Sequence, residues 1–176
     1  MGGPRLGGQG IGGVAIRPVR DDEADDLGRV TVEVYADLVP GLLPEEYRAE
    51  LADVRGRAAE TLVLVAVDEG GALLGGITYV DRPGRWASIA QFDQAELRML
   101  VVAPHAQGRG VGTALLQACI DQAHLDGKRQ VTLHTTTFMP TAQRIYERAG
   151  FRRAPATDLV VEGDLCLLSY VLDLDG

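Results

Sequence analysis

The stretch Gln107-Gly108-Arg109-Gly110-Val111-Gly112 constrains this chain most, because it stands between two apolar patterns of different period. Before it, Ala95 to Ala103 is an apolar-rich run that Pro104 stops, which reads as a strand. After it, Val111, Leu115, Cys119 and Ala123 recur at helical spacing, and Gly127 is placed as a C-terminal cap. A further β-branched run, Val131 to Thr135, follows, so strand, loop, helix and strand form a crossover that makes the two strands parallel. The glycines let backbone come close to a ligand, several N–H groups there lack helical acceptors, and the helix dipole favours negative charge. Pyrophosphate is the natural guest, with Arg109 adding positive charge, although a plain strand-to-helix turn fits the spacing equally well.

The remaining patterns surround this crossover. Val14, Ile16 and Val19 predict a short first strand that Pro18 confines to an edge or an end. Ala24, Leu27, Thr31, Val34, Tyr35 and Leu38 predict a helix stopped by Pro40 and Gly41, and Pro44 opens a second with Tyr47, Leu51 and Val54 on one face and Gly56 near its end. Thr61 to Val67 and Ala72 to Val80 predict a hairpin across Asp68 to Gly71, and Asp81 to Gln94 a long loop. Pro140 opens a last helix closed by Gly150, and Leu159 to Val161 and Leu165 to Leu172 predict two final strands around Glu162, Gly163 and Asp164. The expected fold is a mixed α/β sheet, mostly antiparallel, with one parallel pair beside the helix from Gly110.

Composition narrows the function classes. Twenty-five acidic against 17 basic residues give a net charge of -8, which disfavours a general nucleic-acid binder. No apolar run approaches the ~18 residues of a membrane helix, so no membrane association is expected. Met1 to Gly13 reads as a flexible glycine-rich leader, and residues 14–176 as one domain. Cys119 and Cys166 lie in apolar stretches without a disulfide pattern, which points to a reducing, cytoplasmic compartment. His105, His124 and His134 have no metal-ligand spacing, so no metal is expected, and no serine or cysteine is placed as a nucleophile.

Two nucleotide motifs fail on detail. A P-loop requires Gly-Lys-Ser/Thr at its end, and a dinucleotide fingerprint requires a glycine at 113, which is Thr, and an acid after the next strand, where Thr135, Thr136 and Thr137 stand. Gly8, Gly10 and Gly13 match the fingerprint formally but open no helix. Instead Ala95-Glu-Leu-Arg-Met-Leu-Val-Val-Ala-Pro104 with Gln107-x-x-Gly110-x-Gly112 resembles motif A of the GNAT superfamily of acyl-CoA-dependent N-acyltransferases, and Ala142-Gln-Arg-Ile-Tyr-Glu-Arg-Ala-Gly-Phe151 resembles motif B. The resemblance implies a three-layer fold over residues 14–176 whose parallel pair splays apart to admit acetyl-CoA, the acyl donor. It implies that Gln107, Gly108, Arg109, Gly110, Val111, Gly112 and Thr113 hold the pyrophosphate, and that the backbone of Leu100, Val101 and Val102 holds pantetheine like an added strand. Met139 stands where many relatives carry Asn, so a side-chain amide contact to pantetheine is not implied.

Acyl transfer to an amine needs a group to take the ammonium proton and one to protonate the leaving thiolate. Glu96 is the candidate base, by a spacing similar to that of the glutamate in histone acetyltransferase members, and Tyr146, the motif B tyrosine, is the candidate acid. Period-2 alternation places Arg98, Leu100 and Val102 on the face of Glu96. The competing meanings are a solvated strand-end charge for Glu96 and a core residue for Tyr146. The expected activity is acetyl transfer from acetyl-CoA to a primary amine by direct attack in a ternary complex. Glu33, Asp37, Glu45, Glu46 and Asp93 lean the acceptor toward a cationic small amine or a protein or peptide amine, unless they are merely a solvated face. A non-catalytic acyl-CoA sensor is the alternative, and a homodimer is left open.

Overall fold

A computed structural model describes residues 12–161 and 165–174. The leader, apart from Gly12 and Gly13, and the turn expected at 162–164 lie outside the described residues. The strands are β1 Ala15–Pro18, β2 Leu62–Val67, β3 Leu73–Val80, β4 Gln94–Val102, β5 Gln130–Thr136, β6 Arg152–Arg153, β7 Leu159–Val161 and β8 Leu165–Asp173. They form one sheet in the order β1-β2-β3-β4-β5-β8-β6, with β7 also pairing β8. Only β4 with β5 is parallel; every other pairing is antiparallel. Pro18, without an N–H, sits at the end of the edge strand β1, as the sequence requires.

The helices are α1 Ala24–Leu38, α2 Glu45–Ala52, α3 Val54–Glu60, α4 Val111–Leu125 and α5 Pro140–Arg148. Alternation along β2 explains the layers: Leu64 and Ala66 pack with Val111, Leu115, Leu116 and Tyr146 of α4 and α5, whereas Val63, Val65 and Val67 pack with Ala24, Leu27 and Val54 of α1 and α3. The run that lacked polar alternation is thus buried on both faces of the sheet.

The structure corrects two expectations. The single helix expected from Pro44 breaks at Asp53, whose φ of -78° and ψ of 64° are not helical and whose carboxylate accepts the Gly56 N–H at 2.9 Å, capping α3. Gly56 therefore lies inside a new helix and not at the end of the old one. The second correction is in β4. Thr78 pairs with Arg98 but Gly76 pairs with Val101, so β4 carries one extra residue, and Met99 takes a φ of 56°. Leu100 and Val102 pack on the α4 side while Arg98 turns to Glu50 of α2, so the bulge puts them on opposite faces. Strict alternation along β4 fails at Met99.

Candidate active site

Parallel pairing of β4 with β5 stops at Leu97 and Leu133, although β4 continues to Val102 and β5 to Thr136. Beyond that point the edge of β4 facing away from β3 has no strand partner among the described residues, and two cavities meet in the gap. The first, about 460 Å³, is bounded by β4 from Leu97 to Val102, the glycine loop, the first turn of α4 and α5. The second, about 290 Å³, lies between α1, α2, β4, β5 and the paired strands β7 and β8. Tyr35, Leu97, Arg98, Met99, His134 and Met139 line both. A third concavity of about 560 Å³, at the start of β5, is lined by His124, Lys128, Arg129 and Asp173 and touches none of the predicted site residues.

The glycine loop has the geometry of an anion cradle. Gly108 and Gly110 have φ of 75° and 78°, and a Cβ at either would meet no atom within 4 Å. Their lack of a side chain answers a backbone conformation that L-residues avoid and leaves the approach open. Gly110 begins α4 without a side-chain cap, and the first helical hydrogen bond runs from the Ala114 N–H to its carbonyl, so the N–H groups of Val111, Gly112 and Thr113 precede any helical acceptor. Uncapped donors, an open cradle and an unpaired strand edge fit a pyrophosphate joined to a peptide-like arm. Gln107 donates to the Val102 carbonyl at 3.5 Å, closing the loop onto that edge. Arg148 also lines the cleft, a cation that the sequence reading missed although its place at the end of an amphipathic helix was visible.

Tyr146 is buried, with its ring 5.9 Å from Phe151 and 6.2 Å from Tyr170, and it borders the first cavity. Burial pushes its phenol well above the ordinary value, so the hydroxyl keeps its proton. Glu96 is 1% exposed and borders the second cavity. Arg98 does not pair with it. Its Oε2 accepts the N–H groups of Ser88, Ile89 and Ala90 at 2.8, 3.0 and 3.2 Å, which fastens the long loop before β4. Arg98 donates to the Trp86 carbonyl at 2.7 Å and to Glu50 at 2.9 Å. Behind it the buried Arg57 donates to the Glu50 and Leu51 carbonyls and lies 5.9 Å from the Trp86 ring. Burial, and then the nearby Arg98, pull the Arg57 guanidinium down to about 10.

None of the five acids thought to flavour the acceptor site borders either cavity. Glu33 pairs with Arg29, Glu45 with Arg48 and Asp93 with Arg129, all on exposed surface. They stand on the solvated surface, away from the cavity walls.

The family model for the acetyltransferase (GNAT) family matches residues 29–151. The chain belongs to this family. It is 31% identical over 147 residues to a mycothiol acetyltransferase of Clavibacter michiganensis subsp. michiganensis, covering 81% of this chain but only 44% of that relative. Among solved structures, a GCN5-related N-acetyltransferase from Kribbella flavida superposes with a TM-score of 0.69 at 25% identity, covering 92% of this chain and 98% of that one. A Salmonella typhimurium protein solved with its cofactor acetyl-CoA shares the fold with a TM-score of 0.67 at 22% identity, over 93% and 95% of the two chains. The GNAT fold expected from motifs A and B, with its splayed parallel pair, is the fold observed. Among the described residues no helix is long and apolar enough to cross a membrane.

Proposed function

We propose that the protein, with residues 14–176 as one catalytic domain, transfers an acetyl group from acetyl-CoA to a primary amine by direct attack in a ternary complex. The observation that carries this reading is the meeting of the two cavities at the splayed strands, one beside uncapped helix N–H groups and the other apolar. Gln107, Gly108, Arg109, Gly110, Val111, Gly112 and Thr113 would hold the pyrophosphate, and the Leu100, Val101 and Val102 backbone the pantetheine. When bound, acetyl-CoA supplies an activated carbonyl. Tyr146 keeps a proton on its hydroxyl for the leaving sulfur. Glu96 braces the acceptor wall by fixing residues 88–90.

The second cavity defines the acceptor. Tyr35, Val39, Leu42, Tyr47, Leu165 and Leu167 give it an apolar wall, and its arginine is already paired with Glu50. An amine on a small apolar body fits better than a polycation. A cytoplasmic site of action belongs to the proposal, supported by the two free thiols in α4 and β8. The test is coenzyme A release over a panel of amines, alongside thermal stabilisation by acetyl-CoA. Release with primary amines on small apolar bodies ahead of polyamines is expected. Stabilisation with no release from any amine would replace the enzyme by an acyl-CoA sensor, and neither signal would sink the cofactor site as well.

A further inference from the structure

We infer that His134 takes the proton from the acceptor's ammonium group, an inference that rests on the acetyl-transfer reading above. His134 is the residue of β5 immediately after Leu133, where pairing with β4 ends, and it lines both cavities. No other imidazole borders either. Its Nε2 lies 3.3 Å from the carbonyl oxygen of Thr157. A carbonyl only accepts, so Nε2 carries the hydrogen and Nδ1 of the neutral ring is left with a lone pair. Among the described residues Nδ1 makes no hydrogen bond.

The Thr157 carbonyl is itself held. It accepts the Ser169 hydroxyl at 2.6 Å, and Asp158, next in the chain, accepts the Ser169 N–H at 2.7 Å while pairing with Arg153. Ser169 is fully buried, so this brace on the ring's far nitrogen is fixed by the core. The alternatives in the cavity are less suited. Tyr146 holds its proton, and one oxygen of the Glu96 carboxylate, Oε2, is committed to three amides. His134 is half-buried, so a proton it accepts has a way out.

In the step, one N–H bond of the ammonium breaks and one N–H bond forms at Nδ1. The electron pair of the broken bond stays on the amine as its lone pair, the ring becomes an imidazolium, and that proton passes to water. The charged and titratable groups around the ring are Glu96 and Arg98 on β4, Tyr35 on α1, Tyr47 on α2, Tyr146 and Arg148 on α5, and Asp158 before β7.

The test is His134→Gln, whose amide can still donate to Thr157 but cannot accept a proton near neutrality. The parent's kcat/KM for the amine should show a limb that rises with pH in addition to the amine's own ionisation. In the variant that limb should vanish, leaving a rise only with the amine's own ionisation and a loss of at least about 100-fold at neutral pH. KM for acetyl-CoA and the melting temperature should hold. Independently of turnover, nitrogen-15 spectra of the parent's histidines should show His134 protonated at Nε2 and bare at Nδ1. A variant that keeps that limb and the parent rate, or a His134 found protonated at Nδ1 in its neutral form, would overturn the inference. A parent that releases no coenzyme A with any amine would instead remove the transfer reading beneath it.

Discussion

Replacing Glu96 by Ala separates a loop anchor from a catalytic base. The carboxylate is 1% exposed and its Oε2 receives three consecutive backbone N–H groups, so the alanine variant leaves all three donors without an acceptor. The Ala90 donor is buried and bears the full cost, while those of Ser88 and Ile89 are partly reached by water. At about 1–3 kcal/mol for a buried orphan and less for the other two, the sum is about 2–4 kcal/mol. For a chain of this size that corresponds to a melting temperature lower by roughly 5–15 °C. Trp86, the single tryptophan, lies in the same loop and is buried, so its emission should shift to the red as the loop loosens. Hydrogen exchange across residues 86–91 should accelerate in parallel. Glu96→Gln keeps a carbonyl oxygen in place, and with neutral in place of charge-assisted hydrogen bonds should cost only ~1 kcal/mol. An alanine variant that melts within about 1 °C of the parent with unchanged emission would refute the anchor. A glutamine variant that folds like the parent but loses its rising pH limb would return the proton to Glu96.

Gly110→Glu adds charge and bulk where a Cβ meets open space, so it should abolish stabilisation by acetyl-CoA, while the open space confines the stability loss to the about 1–2 kcal/mol that a φ of 78° imposes on an L-residue; unchanged affinity in calorimetry would contradict this. Tyr146→Phe keeps the ring contacts with Phe151 and Tyr170 and should lower kcat by about 100-fold or more at nearly constant KM for acetyl-CoA, measured by thiol release. Glu23, held down to about 2 by its hydrogen bonds and charge pairing with Arg17, contributes stability above the ordinary carboxylate range that is lost as pH falls toward about 2. Glu23→Gln should therefore cost ~1 kcal/mol near neutrality, after allowance for solvent screening, and the difference should fade in acid-unfolding curves as pH falls through about 2.

Much of this was legible in the chain because its signals are local. Glycine and proline mark the limits of α4 and α5, and the unbroken apolar run of β2 announces a strand covered on both sides. The crossover through Gln107–Gly112 dictates the parallel pair. What escaped is set by distant partners. Nothing in the sequence near Met99 demands a left-handed residue; the bulge exists because Gly75 and Gly76 of β3 take Val102 and Val101 as partners while Thr78 keeps Arg98. Asp53 reads as an ordinary helix residue until its carboxylate finds Gly56. The anchoring duty of Glu96 depends on a loop whose path has no periodicity, and the acids counted as an acceptor field were legible as charges but not as pairs. His134 was weighed only as a metal ligand, since its hydrogen bond to Thr157 joins elements 23 residues apart.

The extra residue at Met99 divides β4 into two stretches that answer to different masters. Up to Met99 the strand lines the acceptor chamber, sharing Leu97, Arg98 and Met99 with the donor groove, and from Leu100 onward it lines the donor groove alone. Substitutions at Leu100, Val101 and Val102 therefore bear on the grip on the acyl carrier without reaching the acceptor chamber. Loss of that one residue would be different in kind: every side chain beyond it would change faces, and the strand would be free to close against β5. A fold with such a seam can retune its hold on what it spends without reshaping the room for what it modifies.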